Sequence, residues 1–541
     1  MSAGASFNLA DLFESVVDAV GEREAVVCGD SRRTYRELDE RANRLAHHLI
    51  SAGIQPGEHV GMYLMNGIEY IEALIACLKA RAIPINVNFR YVEEELRYLL
   101  DDADVVALLH GRQFVPRIQA VRDQLPLLRH LVVVEDGGSE DASSLGSIGY
   151  EDALAAEDPG REHLPPRSAN DRFIIYTGGT TGFPKGVVWR QEDFFFTCLG
   201  GGNPQATPIS DPREIGPNAK ARDPQIVQFV VAPLIHGAGQ LGLFIGLNWG
   251  DKVVVAPRFD PEAVWQTIGE ERVNTMFAVG DAMARPLVEH LAADPSRYDL
   301  SSLIYFGSSG ALLSTTVKDE LRRMLPNVFV GENFGSTETG NQGMEAQDAP
   351  KPETGLRFRM NDRSTVFDDR LHPIPPGTGA VGKLALTGRI PLGYYKDPEK
   401  TAATFVEADG KRWVMPGDLA TVDADGTIIV FGRGAVCINS GGEKVYPEEV
   451  EMALKAHPAI YDAVVVGVPD ERWGERVAAV VQTRPGALVT LDEIKDHVRT
   501  RVAGYKVPRE MHVVDEVRRQ PSGKPDYPWA KEVALKGEAR V

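Results

Sequence analysis

The stretch Tyr176-Thr-Gly-Gly-Thr-Thr-Gly-Phe-Pro-Lys-Gly-Val-Val188 decides the fold of this chain, and the apolar run Phe173-Ile174-Ile175 precedes it. Its loop holds three glycines and three threonines directly after a predicted strand. Glycine lets the backbone turn sharply, so that N–H groups and hydroxyls can surround an anion. With a lysine close by, this composition predicts a triphosphate-binding loop rather than a plain turn.

The spacing of the loop excludes a Walker A motif. Gly182 is followed by Phe183-Pro184-Lys185, whereas a Walker A loop continues from its last glycine directly into Lys and Ser or Thr. The nucleotide site is therefore predicted to be of a different class from that of P-loop NTPases.

Composition bounds the class of protein. The chain has 541 residues, of which 43% are hydrophobic, and this length predicts more than one domain. The formal net charge of −19, without a concentrated Lys/Arg tract, argues against a nucleic-acid partner. Anionic substrates must therefore be met by local basic residues.

The cysteines and the N-terminal region indicate the compartment. Cys28, Cys77, Cys198 and Cys437 lie far apart without C-x-x-C spacing, which favours neither a disulfide framework nor a zinc site. No charged segment followed by an apolar run begins the chain, and no apolar run approaches membrane-spanning length. We expect a cytoplasmic protein without stable membrane insertion.

Strand and helix patterns alternate along most of the chain. Apolar residues recur at helical spacing from Leu38 to Leu49, and Gly53 with Pro56 predicts the end of that helix. Strands are predicted at 59–64, 83–87, 105–110, 173–175, 227–232, 252–256, 275–278, 303–306 and 328–330, and helices at 70–80, 93–101, 150–155, 261–270, 281–292 and 314–324. Such alternation predicts a largely parallel α/β sheet.

The pattern changes after Gly377. Short strands are predicted at 382–387 and 427–431, then a small α+β unit with helices at 447–455 and 491–501, strands at 463–468, 477–483 and 511–514, and a final helix. We therefore predict an α/β protein with a large N-terminal domain, 1–433, of mixed and parallel sheets wrapped by helices. A small, mobile α+β C-terminal domain, 434–541, follows it. The polar segment 203–223 is too long for a simple connection and predicts a lid, a wall or a disordered insertion.

The loop at 176–188 closely resembles the signature loop of the adenylate-forming superfamily, which includes acyl-CoA synthetases, luciferases and peptide-synthetase adenylation domains. The resemblance extends from about Asp30 to Lys531, and further motifs follow in the family's order. It implies that Thr180 helps to hold Mg²⁺. It also implies that the ATP phosphates are bound by Thr177, Gly178, Gly179, Thr180, Thr181, Gly182 and Lys185.

A second motif, Phe334-Gly335-Ser336-Thr337-Glu338, resembles the family's aromatic-Gly-x-Thr-Glu sequence. The resemblance implies that Phe334 to Thr337 contact the nucleotide, with Thr337 near the α-phosphate, and that Glu338 binds Mg²⁺. A carboxylate oxygen suits a hard cation that bridges phosphates. An acid that interacts with a helix N-terminus is the alternative interpretation of Glu338.

Two more motifs resemble the nucleoside-binding parts of the family. Ser309-Gly310-Ala311 resembles the turn beside adenine, and Ala311 excludes a G-x-S-x-G nucleophile elbow. Gly417-Asp418 resembles the pair whose carboxylate accepts the ribose hydroxyls, and Gly432-Arg433 resembles the arginine that reaches the ribose or phosphate. A turn cap is the alternative interpretation of Asp418.

The C-terminal unit carries two motifs. Pro521-Ser522-Gly523-Lys524 resembles the loop that delivers the catalytic lysine, whose charge is needed where carboxylate and α-phosphate approach each other. The segment 439–451 matches the pantetheine path, which implies CoA contacts for Ser440, Gly441, Gly442 and Lys444. One departure is Ala435-Val436, where the family usually has Asp or Lys at the hinge. We assign no catalytic side chain there.

His236 aligns with the family's Pro-x-x-His motif at the acyl pocket, and small residues from Gly237 to Gly239 follow it. A satisfied structural histidine is the alternative interpretation. The resemblance implies substrate-positioning roles for His236 and Gly237. The small residues 237–239 would leave space for an acyl group.

The resemblance as a whole implies an AMP-forming acid–thiol ligase with ATP, Mg²⁺ and coenzyme A as cofactors or co-substrates. Details such as Asn86-Val-Asn-Phe-Arg-Tyr91 and Gly280-Asp-Ala-Met-Ala-Arg-Pro286 look most like actinobacterial ligases that act on steroid side-chain carboxylates. We therefore expect a bulky apolar carboxylic acid, preferred over acetate. The protein could act as a monomer or as a homodimer, and the sequence does not decide between them.

Other activities also remain open at this point. The alternatives are a medium- or long-chain fatty acyl-CoA synthetase, an adenylating enzyme that loads a carrier protein, and a non-catalytic nucleotide or acyl-CoA binding protein. No carrier domain follows Lys524, although a separate carrier would leave no trace. Retention of Thr180, Glu338, Asp418 and Lys524 together argues against a non-catalytic protein.

Overall fold

A computed structural model describes residues 6–177, 184–203, 207–311, 313–345, 356–440, 443–470, 474–502, 504–520 and 523–537. Within these ranges the strands form five sheets. The largest has eight strands, and its six inner strands run parallel while the two edge strands are antiparallel to their neighbours. Their order across the sheet is Gly340–Met344, Phe329–Ser336, Tyr305–Ser308, Thr275–Ala278, Val227–Val230, Lys252–Val255, Glu24–Cys28 and Ser31–Thr34.

The second sheet has five parallel strands, in the order Ile83–Asn86, His59–Tyr63, Val105–Gly111, His130–Val134 and Ile148–Gly149. A third, antiparallel sheet contains the stem of the predicted phosphate loop, in the order Gly393–Tyr394, Lys185–Arg190 and Arg172–Thr177. The fourth is antiparallel, in the order Leu356–Arg359, Thr427–Arg433, Asp418–Val422, Gly382–Thr387, Lys411–Val414 and Phe405–Ala408, with Ser364–Phe367 also paired to Gly382–Thr387.

The helices cover the sheets and link their strands. In chain order the α-helices are Leu9–Val20, Tyr35–Ser51, Ile68–Lys79, Glu93–Asp102, Val115–Val121, Tyr150–Ala155, Gln191–Cys198, Ile215–Ala221, Gly237–Asn248, Pro261–Glu270, Gly280–Ala293, Thr315–Met324, Pro398–Thr404, Pro447–Lys455, Leu491–Arg499 and Tyr527–Lys536. Short 3₁₀ turns lie at Arg112–Phe114, Arg122–Gln124, Ala142–Leu145, Gly200–Gly202, Pro212–Glu214, Gly434–Val436 and Gly504–Lys506.

The eight-stranded sheet is buried on both faces. Val26 and Val253 belong to one hydrophobic cluster, whereas their chain neighbours Val27 and Val254 belong to another that includes Trp265. Successive side chains of a strand point to opposite faces, so a strand covered on both sides needs an uninterrupted apolar run. The valine runs at 253–255 and 26–27 meet this requirement.

The fifth sheet forms the C-terminal unit. Its strands are Glu443–Val445, Ile438–Ser440, Gly474–Thr483 and Ile460–Asp470, with Glu510–Val514 added in parallel to Gly474–Thr483. Val450 and Ile494, from two helices, pack with Val465 on one face of this sheet. Ala530 of the last helix packs with Val464 on the other face. Strands in the middle and helices outside give this unit its own core.

Helix Gly237–Asn248 is among the helices that were not predicted from the sequence. Gly237–Asn248 contains glycines, which lower intrinsic helix propensity by about 1 kcal/mol each relative to alanine. The helix lies very close to the eight-stranded sheet: a Cβ on Gly246 would be 2.5 Å from a methyl of Val253, and one on Gly242 would be 3.1 Å from a methyl of Val230. Close packing therefore explains these glycines.

The polar segment 203–223 packs against the N-terminal helix where the structure describes it. Ile215 and Ala219 of its short helix are buried, and a Cβ on Gly216 would be 2.5 Å from the carbonyl oxygen of Ser15. The segment is thus part of the wall of the molecule, and the lid and the disordered insertion among the expectations are wrong for 207–223.

Most predicted elements lie within a few residues of their expected ends, whereas helices such as Leu9–Val20 and Gln191–Cys198 and strands such as Glu24–Cys28 and His130–Val134 were not predicted. The strand predicted at 303–306 lies at Tyr305–Ser308, and the strand predicted at 328–330 continues as far as Ser336. None of the helices formed by the described residues combines the length and apolarity that a membrane crossing requires. The boundary predicted at 433/434 falls at the end of Thr427–Arg433, and it stays a prediction.

Candidate active site

The predicted phosphate loop joins two antiparallel strands. Arg172–Thr177 and Lys185–Arg190 pair along their whole length, and the last pair is Thr177 with Lys185. The loop is therefore the tip of a hairpin. The predicted site residues Gly178, Gly179, Thr180, Thr181 and Gly182 lie outside the described residues, so their roles stay predictions.

Asn86 anchors this hairpin beside its loop, at Tyr176. Its side-chain nitrogen donates to the carbonyl oxygens of Tyr176 at 2.8 Å and Ile235 at 2.6 Å, and its oxygen accepts from the N–H of Tyr176 at 2.8 Å. The Tyr176 hydroxyl donates to Asp102 at 2.8 Å. These bonds tie the phosphate hairpin to the segment just before His236. Asn86 was noted in the sequence, but its anchoring role could not be read there.

Lys185 is the first residue of the second hairpin strand, opposite Thr177, and its side chain pairs with Asp397. Its hydrogen bond to the Asp397 carboxylate holds the pKa of that carboxyl below its ordinary value. The Lys185 side chain is 40% exposed, so the ammonium group can exchange this partner for an anion at little cost. This is the behaviour expected of a lysine that meets a phosphate.

The turn that follows strand Phe329–Ser336 carries Thr337 and Glu338. The Trp189 indole donates to the carbonyl oxygen of Thr337 at 3.0 Å, and the Tyr394 hydroxyl donates to Oε1 of Glu338 at 2.9 Å. Glu338 is buried. Both partners come from the strands of the phosphate hairpin's own sheet, so Thr337 and Glu338 are positioned from the same sheet as Thr177 and Lys185.

Other residues of this motif have structural duties. A Cβ on Gly335 would be 2.0 Å from the carbonyl oxygen of Gly340, so only glycine fits at that position. The ring of Phe334 stacks on Phe358 with centroids 5.5 Å apart. The Ser336 N–H donates to the Thr339 hydroxyl at 3.0 Å. The close hairpin at Gly335 thus aims the turn that presents Glu338.

Gly237 links the acyl motif to this turn. A Cβ on Gly237 would lie 3.5 Å from Oγ1 of Thr337 and 4.0 Å from Cδ1 of Ile175, which are ordinary contact distances. His236 is the half-buried residue before the helix. Gly239 is different, because a Cβ there would be 2.4 Å from the carbonyl oxygen of Pro233. The smallness of Gly239 therefore serves packing, and only Gly237 borders Thr337 in this way.

The turn predicted to lie beside adenine follows strand Tyr305–Ser308. Ser308 is fully buried, and its hydroxyl accepts a hydrogen bond from the N–H of Gly280 at 3.0 Å. Gly310 has a φ of +80°, a left-handed conformation that favours glycine. Gly310 faces Val279, since a Cβ on Gly310 would be 3.8 Å from a Val279 methyl. Ser309, Gly310 and Ala311 thus form an open turn at the carboxyl end of a parallel strand.

The residue before Lys524, Gly523, lies next to the start of helix Gly280–Ala293. A Cβ on Gly523 would be 3.0 Å from a Val279 methyl and 3.4 Å from Ala282. Val279 therefore faces both the predicted adenine turn and Gly523 of the predicted lysine loop. Lys524 itself is half-buried, and its carbonyl oxygen accepts from the N–H of Gln520 at 2.8 Å. The structure brings together two motifs that are more than two hundred residues apart in the sequence.

The predicted ribose-binding residues lie on paired strands. Asp418 is buried, and its backbone pairs in register with Arg433. Gly417 and Gly432 have φ values of +105° and +112°, so both bends need glycine. The Arg433 side chain lies outside the described part of the structure, and its role stays a prediction.

The predicted CoA residues lie in the C-terminal sheet. Ser440 is buried and pairs with Glu443 across a hairpin between Ile438–Ser440 and Glu443–Val445. Gly441, Gly442 and the Lys444 side chain lie outside the described residues.

Among the described residues, no group of three or more His, Cys, Asp or Glu side chains is arranged to hold a metal ion.

Comparisons with known proteins cover the whole chain. The AMP-binding enzyme family matches residues 13–395, and the AMP-binding enzyme C-terminal domain matches residues 449–524. A Mycobacterium marinum protein named medium/long-chain-fatty-acid–CoA/3-oxocholest-4-en-26-oate–CoA ligase is 48% identical over 97% of this chain and 96% of its own length. A Rhodococcus rhodochrous 3-oxocholest-4-en-26-oate–CoA ligase is 49% identical over 97% of this chain and 96% of its own length.

A solved structure shares the fold. The anthranilate CoA ligase AuaEII in complex with anthranoyl-AMP superposes with a TM-score of 0.85, covering 99% of this chain and 100% of that chain, at 24% identity. The predicted fold class, an α/β protein with a small C-terminal α+β domain, is confirmed.

Proposed function

This chain belongs to the AMP-binding enzyme family, and we propose that it is an ATP-dependent carboxylate–CoA ligase for bulky apolar acids. One observation carries the proposal: relatives that are 48% and 49% identical over 97% of the chain are named as ligases of 3-oxocholest-4-en-26-oate. The expected resemblance to steroid side-chain ligases is thereby confirmed as a family relationship.

The reaction has two halves. A carboxylate oxygen of the acid attacks the α-phosphorus of ATP, the bond to the bridging oxygen of the β-phosphate breaks, and pyrophosphate leaves. The thiolate of CoA then attacks the acyl carbon, and the carbon–oxygen bond to AMP breaks, with the thiol proton released to solvent. Adenylation thus converts a poor leaving group into a good one.

The main barrier to the first half is the approach of two anions. We propose that Lys524 supplies the positive charge between the carboxylate and the α-phosphate. The contact of Gly523 with Val279, which also faces Gly310, supports this role because it brings the lysine loop beside the proposed adenine turn. Thr177, the loop glycines and Lys185 would hold the β- and γ-phosphates.

A divalent cation fits the residues near Thr337. Mg²⁺ in phosphate-transfer sites is usually held by one or two carboxylates together with substrate phosphates, and Glu338 offers one buried carboxylate whose Oε1 is oriented by Tyr394. We propose Glu338 and Thr180 as its ligands. When bound, Mg²⁺ would neutralise charge on the bridged phosphate oxygens.

The remaining site residues have proposed roles in binding. Ser309, Gly310 and Ala311 would lie along adenine, Phe334 to Thr337 along the nucleotide, and Asp418 with Arg433 would bind the ribose. Ser440, Gly441, Gly442 and Lys444 would line the path of CoA. A division into 1–433 and a mobile 434–541 allows one side of the site to serve each half-reaction in turn.

The acyl substrate is proposed from the names of the relatives and from Gly237. A side chain at Gly237 would point towards Thr337, and glycine leaves that space open for the acid. Each buried methylene adds about 0.8 kcal/mol of favourable transfer, so a steroid acid can outcompete acetate by orders of magnitude. Medium- and long-chain fatty acids are the second candidate, since the Mycobacterium marinum relative is named for both classes.

The compartment is part of the proposal. The free cysteines Cys28, Cys77, Cys198 and Cys437 suit a reducing cytoplasm, and burial raises the pKa of the Cys77 thiol to about 12. ATP and CoA are available there. A homodimer remains compatible with the proposal and is tested by the mass of the protein in solution.

The test is a pyrophosphate-release assay with acetate, octanoate, palmitate and a steroid with a carboxylated side chain, each with and without CoA. We expect acid-dependent pyrophosphate release, AMP as the nucleotide product, and a CoA thioester by mass spectrometry, with the highest kcat/KM for the steroid acid. Release of ADP and phosphate would contradict the proposal. Pyrophosphate release without any thioester in the presence of CoA would favour a carrier-protein thiol as acceptor. Preference for palmitate would retain the ligase and change its substrate.

A further inference from the structure

A chain of buried, charged side chains joins helix Gly280–Ala293 of the N-terminal unit to Gly523, the residue before Lys524. It begins at Asp281, whose Oδ1 accepts from the N–H of Ser314 at 2.8 Å and whose Oδ2 contacts Arg285 at 3.2 Å. Asp281 Oδ2 is also 3.7 Å from the ammonium nitrogen of Lys455, the last residue of helix Pro447–Lys455 in the C-terminal unit. The Asp281, Arg285 and Lys455 side chains are each no more than 3% exposed.

The chain continues inside the C-terminal unit. The Lys455 nitrogen is 3.3 Å from Oδ1 of Asp462, and Asp462 accepts two hydrogen bonds from Arg519 at 2.8 Å and 2.7 Å. Arg519 then donates to the carbonyl oxygen of Gly523 at 3.0 Å. Gly523 packs on Val279 and Ala282. Both ends of this series of contacts therefore lie at the start of helix Gly280–Ala293: one end is Asp281, and the other is Gly523, next to Lys524.

The charges in this chain depend on one another. Burial would raise the pKa of Asp462, but Lys455 and Arg519 hold it far below its ordinary value. Glu451 faces the same groups, accepts from the N–H of Val465 at 3.0 Å, and has a pKa raised by burial. Charges this deep are costly unless each has a partner. Lys455 has Asp462 within its own unit, so the contact with Asp281 adds a second partner that exists only when the two units meet.

Arg285 adds an aromatic contact across the same boundary. Its guanidinium lies 5.6 Å from the ring centroid of Tyr461, within the range of a cation–π interaction. Its Nε and Nη1 atoms have no hydrogen-bond partner among the described residues, so the ring is a main favourable contact for the guanidinium at this boundary. Asp281 and Arg285 also pair with each other within one helix, which keeps the charge of the N-terminal unit balanced when the C-terminal unit moves away.

We propose that Asp281, with Arg285, is a positioning residue for adenylation: it docks Lys455 and thereby holds Arg519 and Gly523, so that Lys524 stands at the nucleotide. This inference rests on the proposed function, because Asp281 can have a positioning role only if Lys524 acts on an acid and ATP. Gly280, Asp281 and Arg285 stand in a motif that the proposed function leaves without a role.

The experiment separates the two half-reactions in Asp281→Asn, which keeps size and removes the charge that faces Lys455. Adenylation, followed as acid-dependent pyrophosphate release without CoA, should slow by about tenfold or more, because the docked arrangement loses an ion partner in a dry site. Thioester formation from CoA and a pre-made acyl-adenylate should stay within about twofold of the wild type, because that step does not use the docked Lys524 loop.

A control lies on the same helix and at the same boundary. Glu289 pairs with Arg484 of the C-terminal unit at 2.8 Å, but the two side chains are 39% and 35% exposed. Exposed pairs contribute little, so Glu289→Gln makes the same change of charge and should leave both half-reactions near the wild-type rate. Equal effects of Asp281→Asn and Glu289→Gln would overturn the proposal.

A double variant tests whether Asp281 acts through Lys524. If it does, adding Asp281→Asn to Lys524→Ala should cause no further loss of adenylation, whereas independent damage to the fold would multiply the two losses. A further loss, or an equal loss of both half-reactions in Asp281→Asn alone, would overturn the inference. A wild type that shows no acid-dependent pyrophosphate release would instead overturn the proposed function. Wild-type adenylation in Asp281→Asn would overturn only the inference.

Discussion

Single charged groups decide the chemistry proposed for this enzyme, and Lys524 is the first of them. Replacing it by alanine removes the charge between two approaching anions, so adenylation should fall by about 100-fold or more. Thioester formation from a pre-made acyl-adenylate should change little. Half-reaction kinetics with rapid quenching measure both.

The control is Lys531→Ala in the same C-terminal unit, where a 45% exposed lysine lies 3.7 Å from Glu475. Loss of a largely solvated charge should leave both half-reactions unchanged. An equal fall of both steps in Lys524→Ala would contradict the role given to this lysine.

Glu338 is the second such group. Glu338→Gln keeps the size of the side chain and replaces one potential metal-ligating oxygen by an amide, so the Mg²⁺ concentration needed for half-maximal adenylation should rise about tenfold or more. Tyr394→Phe serves as comparison, because it leaves the carboxylate and removes only the hydroxyl that donates to Oε1 at 2.9 Å. A titration with Mg²⁺ that gives the same curve for Glu338→Gln and wild type would remove Glu338 from the metal site.

The buried carboxyl group of Asp251 should make the free energy of unfolding depend on pH. This buried carboxyl lies 3.2 Å from Arg222, yet burial raises its pKa from 3.8 to about 7. Between pH 4 and 7 the folded protein holds a proton that the unfolded chain has released, so this group's contribution to the free energy of unfolding falls as pH rises through that window and is constant above it. Asp251→Asn removes the contribution.

Chemical denaturation at pH 4.5 and at pH 7.5 checks this. Relative to Asp251→Asn, the wild type should lose on the order of 3 kcal/mol of unfolding free energy between the two conditions. A difference between the two proteins that does not vary with pH would show that the carboxyl is charged throughout.

At the scale of elements, the helix that starts at Gly237 borders the proposed acyl site. Gly237→Ala adds a Cβ at ordinary contact distances, 3.5 Å from Thr337 and 4.0 Å from Ile175, and should be tolerated. Gly237→Val adds two methyl groups to the same space, so kcat/KM for a steroid acid should fall by about tenfold or more while that for acetate changes less. Equal losses for both acids in the valine variant would place Gly237 outside the acyl site.

The sequence predicted elements whose boundaries have local causes. Helix Pro261–Glu270 begins with proline after Asp260, whose carboxylate accepts from Ala263 N–H at 2.8 Å, and such caps can be read directly. Helix Gly237–Asn248 could not be predicted, because its glycines oppose helix formation locally and are explained only by close contact with Val230 and Val253. Tertiary packing supplied the missing information.

The candidate site divides in the same way. Motifs identified which residues to expect, because a short motif shows residue types and their spacing directly. The partners that orient these residues come from distant parts of the chain: Tyr394 for Glu338, Asn86 for Tyr176, and Val279 for both Gly310 and Gly523. A single sequence shows no spacing that would connect such pairs, so these contacts required the structure.

At the scale of the whole molecule, we propose that two units share one nucleotide. The N-terminal unit supplies the phosphate hairpin, the Glu338 turn and the Ser309 turn, and the C-terminal unit supplies Lys524 at a boundary of buried charges. The central claim is that an acyl-adenylate forms before CoA takes part.

Exchange of radiolabelled pyrophosphate into ATP tests that claim most directly, because it requires a reversible step that makes acyl-adenylate and pyrophosphate. With a steroid side-chain acid, Mg²⁺ and no CoA, the protein should catalyse exchange that depends on the acid and is lost in Lys524→Ala. Exchange that is absent without CoA, or equally fast without any acid, would contradict the account.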